Sequence, residues 1–394
     1  MVKRTLKEHL DPDSGHKRVL SLAGGGVRGL VTLGVLKRVE DIFRESTGDP
    51  DAVLADHFDL IAGTSTGSII ATGLALGWTV DQIKALYDEL CPILFKPNRI
   101  KGILKFRFDA KHLEKKLDEH LKDAKGDLIK LGSPELVTGL LICAKRIDTD
   151  SAWILTNHPD SKYYDAGPGQ TWLPNRLYTL KSLIRASTAA PSFLESVKIK
   201  ISDGREGFEE EWGVFVDGAI SGHNCPALAA LKVATLPSYK FNWKTGPEHL
   251  SVLSIGTGEF RNRHNWEDYI DKTPAQQGIE ALKGMINESQ KNTIMVMQSI
   301  SHSHKPWTLN SEVGGLDGEL VGEKALVNFR HVDVQIENDD VRKYLHLQNA
   351  TGQEIDKIVE GLRDMANGRA QNLLNCYRMG CSLSTEVTEE DLFF

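Results

Sequence analysis

Cysteine is scarce in this chain and poorly arranged for cross-linking: Cys91, Cys143, Cys225, Cys376 and Cys381 make an odd count in 394 residues, with no C-x-x-C spacing. That pattern suits neither a disulfide framework nor a zinc site, so reduced thiols in a cytoplasmic protein and no bound metal are expected. A basic excess is also missing. The 47 Lys and Arg residues face 54 Asp and Glu, for a formal net charge of -7. Such a surface offers no long-range attraction to a polyanion, which argues against a nucleic acid polymer as partner. Residues 1–18 are charged and lack the apolar stretch of a secretory signal. Internal repeats, low-complexity tracts and a clean linker are absent as well. The one long uncharged run, Leu60 to Trp78, spans 19 residues, but Thr64, Ser65, Thr66, Ser68, Thr72 and its glycines make it a poor membrane span.

What is present is the composition of a folded globular chain: 40% hydrophobic, 26% charged, mean hydropathy -0.29. At 394 residues it exceeds the roughly 250 to 300 that a single core usually reaches, so a large α/β domain with appended helices is expected. Arg18 to Ala23 is an apolar run ending in three glycines, and Leu30, Leu33, Val35, Leu36 and Val39 then recur at helical spacing. Phe58 to Ala62 repeats the scheme, running through Gly63-Thr64-Ser65-Thr66-Gly67 into a helix that ends near Leu76. Two strand–glycine–helix units in succession predict a central, mostly parallel sheet flanked by helices. Helical spacing dominates Val80 to Leu121. Strands are expected at Leu136 to Ile147, Ala152 to Thr156, Trp212 to Val216, His249 to Ile255 and Val327 to Ile336. Helices are expected at Leu180 to Ala189, Ala227 to Ala234, Gln276 to Ser301 and Gly352 to Tyr377, with a surface loop over Pro159 to Pro174.

The chemistry concentrates in three places. Gly63 to Gly67 is a G-x-S-x-G between strand and helix, where small residues on either side of Ser65 permit the tight bend that lifts a serine hydroxyl above a sheet edge. A serine there can also simply cap its helix. Gly24-Gly25-Gly26-Val27-Arg28-Gly29 follows the first strand, and consecutive glycines let backbone N–H groups converge as an oxyanion hole requires. Arg28 supplies a positive group near that hole or an anchor behind it. The same six residues satisfy G-x-G-x-x-G, so a nucleotide-binding module is the competing reading. It needs an acidic residue at the end of a second strand, and Arg44 to Asp51 is instead a polar turn. Asp217 stands just past an apolar strand and before Gly218, as a general base or as an ordinary Asx turn. Of the thirteen histidines, His223 is the nearest to that loop, and none has a recognisable catalytic setting.

Taken in order, the Gly24 to Gly29 loop, the Gly63 to Gly67 elbow and Asp217-Gly218-Ala219 resemble the motifs of the patatin-like phospholipase family. Ala186-Ser187-Thr188-Ala189-Ala190-Pro191, His223-Asn224-Cys225-Pro226-Ala227 and Ser254-Ile255-Gly256-Thr257-Gly258 add to the resemblance, which covers roughly residues 17–260. The chain departs from the family in having Asp-Gly-Ala where Asp-Gly-Gly is commoner, and in Cys225.

The resemblance implies a three-layer α/β/α fold and a Ser–Asp dyad of Ser65 and Asp217 with no histidine. It further implies Gly24, Gly25, Gly26 and Arg28 around the oxyanion, Gly63 and Gly67 framing the elbow, no cofactor, and cleavage of acyl esters of glycerophospholipids or other acyl lipids. On this basis residues 1–16 are an N-terminal extension, 17–260 the catalytic domain, and 261–394 a helical part packed on the same core with a regulatory role. Some bacterial members of the family are switched on by cyclic nucleotides, so a cyclic nucleotide activator and a homo-oligomer are candidate partners. Peripheral membrane contact is expected through an apolar rim of Ile93, Leu94, Phe95, Ile103, Leu104, Phe106 and Phe108 interleaved with Lys96, Arg99, Lys101, Lys105 and Arg107, unless these residues form a buried core helix.

Overall fold

Alternating apolar side chains along short strands build a single sheet with a core on each face. A computed structural model describes residues 3–96, 108–204, 209–261 and 265–393. Its strands are β1 (Lys17–Leu22), β2 (Leu60–Thr64), β3 (Gly139–Arg146), β4 (Ser151–Thr156), β5 (Val197–Asp203), β6 (Glu210–Asp217), β7 (Leu250–Ile255) and β8 (Asn328–Val332). The helices are α1 (Leu6–Leu10), α2 (Gly29–Thr47), α3 (Thr66–Ala75), α4 (Val80–Leu94), α5 (Lys111–His120), α6 (Leu180–Thr188), α7 (Ala227–Thr235), α8 (Trp266–Ile270), α9 (Pro274–Ser299), α10 (Asn338–Tyr344), α11 (Gly352–Arg363) and α12 (Ala370–Leu383). The strands run in the order β5-β6-β3-β2-β1-β7-β8, with β4 paired to β3. The pairs β3–β2, β2–β1, β1–β7 and β7–β8 are parallel, whereas β4 and β6 run antiparallel to β3. This is the mostly parallel α/β arrangement that the sequence predicts.

The period of two is visible in the packing. Leu20, Leu22, Ile61, Leu140 and Ile142 enter one core; Val19, Leu60, Ala62, Leu141 and Cys143 enter the other. The first core is closed by α2, α4 and α12, the second by α7 and part of α9. α12 approaches α2 closely enough that a Cβ on Gly380 would lie 2.1 Å from the Val31 carbonyl oxygen. The C-terminal segment therefore shares the core and, through β8, the sheet.

One register places the site. β4 occupies one edge of β3, and the other edge is shared end to end: β2 pairs with Gly139 to Cys143 and β6 with Ala144 to Arg146. Because β2 is parallel and β6 antiparallel to β3, their C-terminal ends meet, Thr64 opposite Cys143 and Asp217 opposite Ala144. Residues 65 and 217 are thus brought together by backbone pairing alone.

Several expectations are corrected. Gly352 to Tyr377 is two helices, because the chain turns between Arg363 and Ala370, where a Cβ on Gly368 would lie 2.7 Å from the Cys91 carbonyl. β5 has no counterpart in the sequence reading; it alternates Val197, Ile199 and Ile201 with polar residues and pairs with β6. The uncharged run from Leu60 begins as β2, the elbow and the ten-residue α3, buried except for Ser65, and no helix among the described residues is long and apolar enough to cross a membrane. Of the proposed apolar rim, Leu94 and Phe108 are buried core residues and Phe95 packs on Phe108, while Ile93 is exposed. Residues 97–107 lie outside the described part.

Candidate active site

Ser65 sits between β2 and α3 with φ 54° and ψ -125°, a backbone conformation that non-glycine residues rarely adopt. The surrounding glycines are required by close approach. A Cβ on Gly63 would lie 2.2 Å from the Gly67 carbonyl oxygen, and one on Gly67 would lie 2.2 Å from the Leu22 carbonyl oxygen. Further bonds hold the bend. The Ser65 N–H donates to Ser187 Oγ at 2.8 Å, and Ser187 Oγ donates to the Cys143 carbonyl at 2.6 Å. Ser68 caps the Ser65 carbonyl through its hydroxyl, and Tyr87 donates to the Thr66 carbonyl from beneath. Ser65 makes no side-chain cap of α3, so its hydroxyl is free for another partner.

The candidate partner is Asp217, which strand register places beside the elbow and whose carboxyl lies near enough to the Ser65 hydroxyl for its pKa to be lowered by it. Asp217 is 2% exposed, and its Oδ1 also accepts from the Ala219 N–H at 2.9 Å. The Asx turn weighed from sequence is therefore present and coexists with the approach to Ser65. Burial pushes the carboxyl up to about 6, against the opposing pull of the Ser65 hydroxyl and the Ala219 amide. His223 meets the elbow through its backbone, whose carbonyl accepts from Thr64 Oγ1 at 2.5 Å, and not through its ring. Its ring bonds Ser221 Oγ at 2.9 Å, burial lowers its pKa, and no described hydrogen bond joins it to Ser65 or Asp217. Burial raises the Cys225 thiol, the opposite of what a thiolate nucleophile needs.

The Gly24 to Gly29 loop lies beside the elbow: a Cβ on Gly24 would come within 3.0 Å of Ser65 Cβ. Its amides are not equivalent. Gly24 N–H is committed to the Asn224 carbonyl, Val27 N–H to the Met365 carbonyl and Arg28 N–H to the Gly25 carbonyl. Among the described bonds, Gly25 and Gly26 N–H are left without a partner. Gly26 takes φ 60° against the Met365 carbonyl, and Gly25 packs on Thr257, whose Oγ1 donates to the Gly24 carbonyl at 3.0 Å. Arg28 stacks over Phe260 at 5.3 Å, with no ion pair among the described residues, and its Nε and Nη1 lack hydrogen-bond partners. Burial lowers its pKa, and the nearby charges that oppose this, Asp333, Cys376, Asp364 and Glu259, include groups at the ends of β7 and β8. A small apolar cavity opens at Ser65, lined by Ile69, Leu90, Leu94, Phe193 and Met365.

Ser187, Asn224, Thr257 and Met365 thus shape the site without having been singled out for it from sequence. Ser187, Asn224 and Thr257 lie inside stretches that carry the family resemblance. Met365 lies far outside them, and no sequence signal marks it.

The family model described as patatin-like phospholipase matches residues 20–231. The chain belongs to the patatin-like phospholipase family. Its elbow, glycine loop and Asp217 all fall within that match, and the family is one of lipid acyl hydrolases. Among relatives, a cUMP-AMP-activated phospholipase of Escherichia coli is 30% identical over 61% of this chain and 64% of its own length. Patatin-17 of Solanum cardiophyllum is 29% identical over 61% of this chain and 60% of its own. A cGAMP-activated phospholipase of Escherichia coli (strain TW11681) is 24% identical over 91% of this chain and 92% of its own. The chain spans less than two thirds of the length of the first two relatives.

Proposed function

We infer that this patatin-like protein hydrolyses acyl esters of glycerophospholipids through an acyl-Ser65 intermediate, with Asp217 as the only general base. The observation that carries the reading is the juxtaposition, by strand register, of a serine at a positive-φ elbow and a buried aspartate whose basicity is raised by that burial. An ordinary carboxylate near pKa 4 is a weak base toward an alcohol. Raised to about 6, Asp217 is better matched to take the Ser65 proton as Oγ attacks the ester carbonyl. The carbonyl oxygen becomes an oxyanion facing the uncommitted N–H groups of Gly25 and Gly26, each such donor being worth on the order of 3 kcal/mol. Asp217 then returns the proton to the departing alcohol, and water, deprotonated by the same carboxylate, releases the fatty acid. Gly24 carries the loop rather than donating, and Arg28 supports it from beside Phe260.

The acyl chain would enter the apolar cavity at Ser65. At about 60 Å³ the cavity is small, so a long chain must displace adaptable side chains, Met365 first among them. Acyl lipid presented at a membrane surface is the substrate class that fits. The near full-length match to a cGAMP-activated phospholipase supports a compatible second reading, in which a cyclic nucleotide raises the rate. The test is fatty acid release from phospholipid vesicles of defined head group, with and without cyclic nucleotides. Wild-type protein should release fatty acid and Ser65→Ala should not. Equal release by both would overturn the assignment.

A further inference from the structure

A second cluster of chemistry-bearing side chains lies at the C-terminal ends of β7 and β8, where a parallel sheet presents its ligand-binding groups. Beyond Ile255 and Val332 the two chains continue side by side: Glu259 N–H donates to the Val334 carbonyl and Ile336 N–H to the Glu259 carbonyl. This pairing gathers Glu259, His331 and Asp333, with one ligand atom from each lying within 4.8 Å of the others.

The detail of their bonding points to a missing partner. Asp333 Oδ1 accepts from Gly258 N–H at 2.7 Å and Val334 N–H at 2.8 Å, which fixes the carboxylate and leaves Oδ2 with no partner among the described residues. His331 Nδ1 is 3.1 Å from Ser254 Oγ, and its Nε2 is likewise unpartnered, 3.8 Å from Asp333 Oδ2. These two residues are 1% and 3% exposed, so water does not satisfy them freely. A buried polar atom without a partner is costly. Among the described residues Glu259 is held by long bonds of 3.4 Å from Gln290 and Gln335, which leave its carboxylate room to move by a fraction of an ångström. All three line a cavity of about 920 Å³, which gives an entry path.

We propose that Glu259, His331 and Asp333 form a divalent cation site that braces the glycine loop from behind. One imidazole nitrogen and two carboxylate oxygens suit a first-row ion such as Zn²⁺ or Mn²⁺ better than Ca²⁺, which prefers an all-oxygen shell. With Nδ1 donating to Ser254, Nε2 presents its lone pair to the ion, and Ser254 sets the ring's orientation. Bonds of about 2.1 Å need ligand atoms closer than they now stand, and Glu259 is the one able to close the gap. Two chains of contact lead from the ion to the loop. Asp333 holds Gly258, next to Thr257, which donates to the Gly24 carbonyl. Glu259 accepts from Gln290, whose Oε1 accepts from Asn224, and the Asn224 carbonyl takes the Gly24 N–H.

The test uses the full chain, stripped with chelator and titrated calorimetrically with Zn²⁺ and Mn²⁺, Ca²⁺ serving as the hard-ion control. One ion per chain should bind. Glu259→Gln and Asp333→Asn, both near-isosteric, should keep wild-type circular dichroism and weaken binding at least tenfold. Asp333→Asn retains an oxygen for the two amides, so loss of binding there reports the ligand and not the fold. Hydrogen exchange at residues 24–29 should slow when the ion is added. Absence of binding, binding unchanged in both variants, or binding without slowed exchange would each overturn the proposal. None of these readouts requires hydrolysis, so this site and the hydrolase reading stand or fall separately.

Discussion

The two glycine-rich turns of the site are built on different principles. In the elbow, the atoms that forbid side chains at Gly63 and Gly67 belong to the elbow itself or to the adjoining strand β1. In the Gly24 to Gly26 loop, the forbidding atoms come from Asn224, Thr257 and Met365, each more than 190 residues away in sequence. The elbow is built mainly by β2 and α3, with β1 and Ser187 bracing it. The loop is braced by segments from three other parts of the chain. The proposed nucleophile is thereby set mainly by its own strand and helix and the proposed oxyanion donors by distant segments, so the two should respond differently to perturbation.

The largest effect should come from the locally built half. Ser65→Ala leaves the backbone bonds of the elbow in place and should lower turnover by roughly 10⁶-fold, measured as fatty acid release, with an unchanged melting temperature within a degree or two. Asp217→Asn should cost about 10⁴-fold. It should also raise stability at neutral pH, because the folded-state pKa of about 6 exceeds the ordinary 3.8. The folded state then holds a proton more readily than the unfolded chain, so stability falls as pH rises from about 4 to 6 and stays low above. Removing the charge recovers up to roughly 3 kcal/mol at pH 7 and little at pH 4, which denaturant melts at both values would detect. In the wild type the same group should give kcat/KM an acidic limb with an apparent pKa near 6.

Glycine replacements test the contrast between the turns. Gly67→Ala drives a Cβ into the Leu22 carbonyl, a backbone atom that cannot step aside, and should cost more than about 3 kcal/mol with no single-site rescue. Gly25→Ala meets the Thr257 side chain first, so Gly25→Ala combined with Thr257→Gly should recover most of the lost melting temperature. Equal rescue at both positions would erase the distinction. Smaller still, Ser187→Ala loosens the Ser65 amide and should lower kcat about tenfold, and His223→Ala should change turnover by less than about threefold.

This contrast also explains what was legible in the sequence. Locally determined features were readable: the strand–turn–helix around Ser65, the apolar alternation of β1 and β2, and the position of Asp217 at a strand end. The juxtaposition of Asp217 and Ser65 depends on β2 and β6 sharing one edge of β3, and strand order is not written in the periodicity of any strand. The commitment of Gly24 N–H to Asn224 was hidden for the same reason. It leaves the Gly25 and Gly26 amides uncommitted, while the Arg28 guanidinium stacks on Phe260. The break between α11 and α12 was missed because Gly352 to Tyr377 keeps helical periodicity in its apolar residues. Only the approach of Gly368 to Cys91 and of Met365 to the glycine loop requires the turn.

In the proposed mechanism one serine, activated by one buried aspartate, carries the acyl group. Fluorophosphonate labelling of the folded protein, followed by mass mapping of the adduct and repeated across pH, addresses it directly. A single adduct on Ser65 is expected, forming faster as pH rises through about 6 and much more slowly in Asp217→Asn. An adduct on any other residue, or a labelling rate in well-folded Asp217→Asn equal to that of the wild type, would contradict the account.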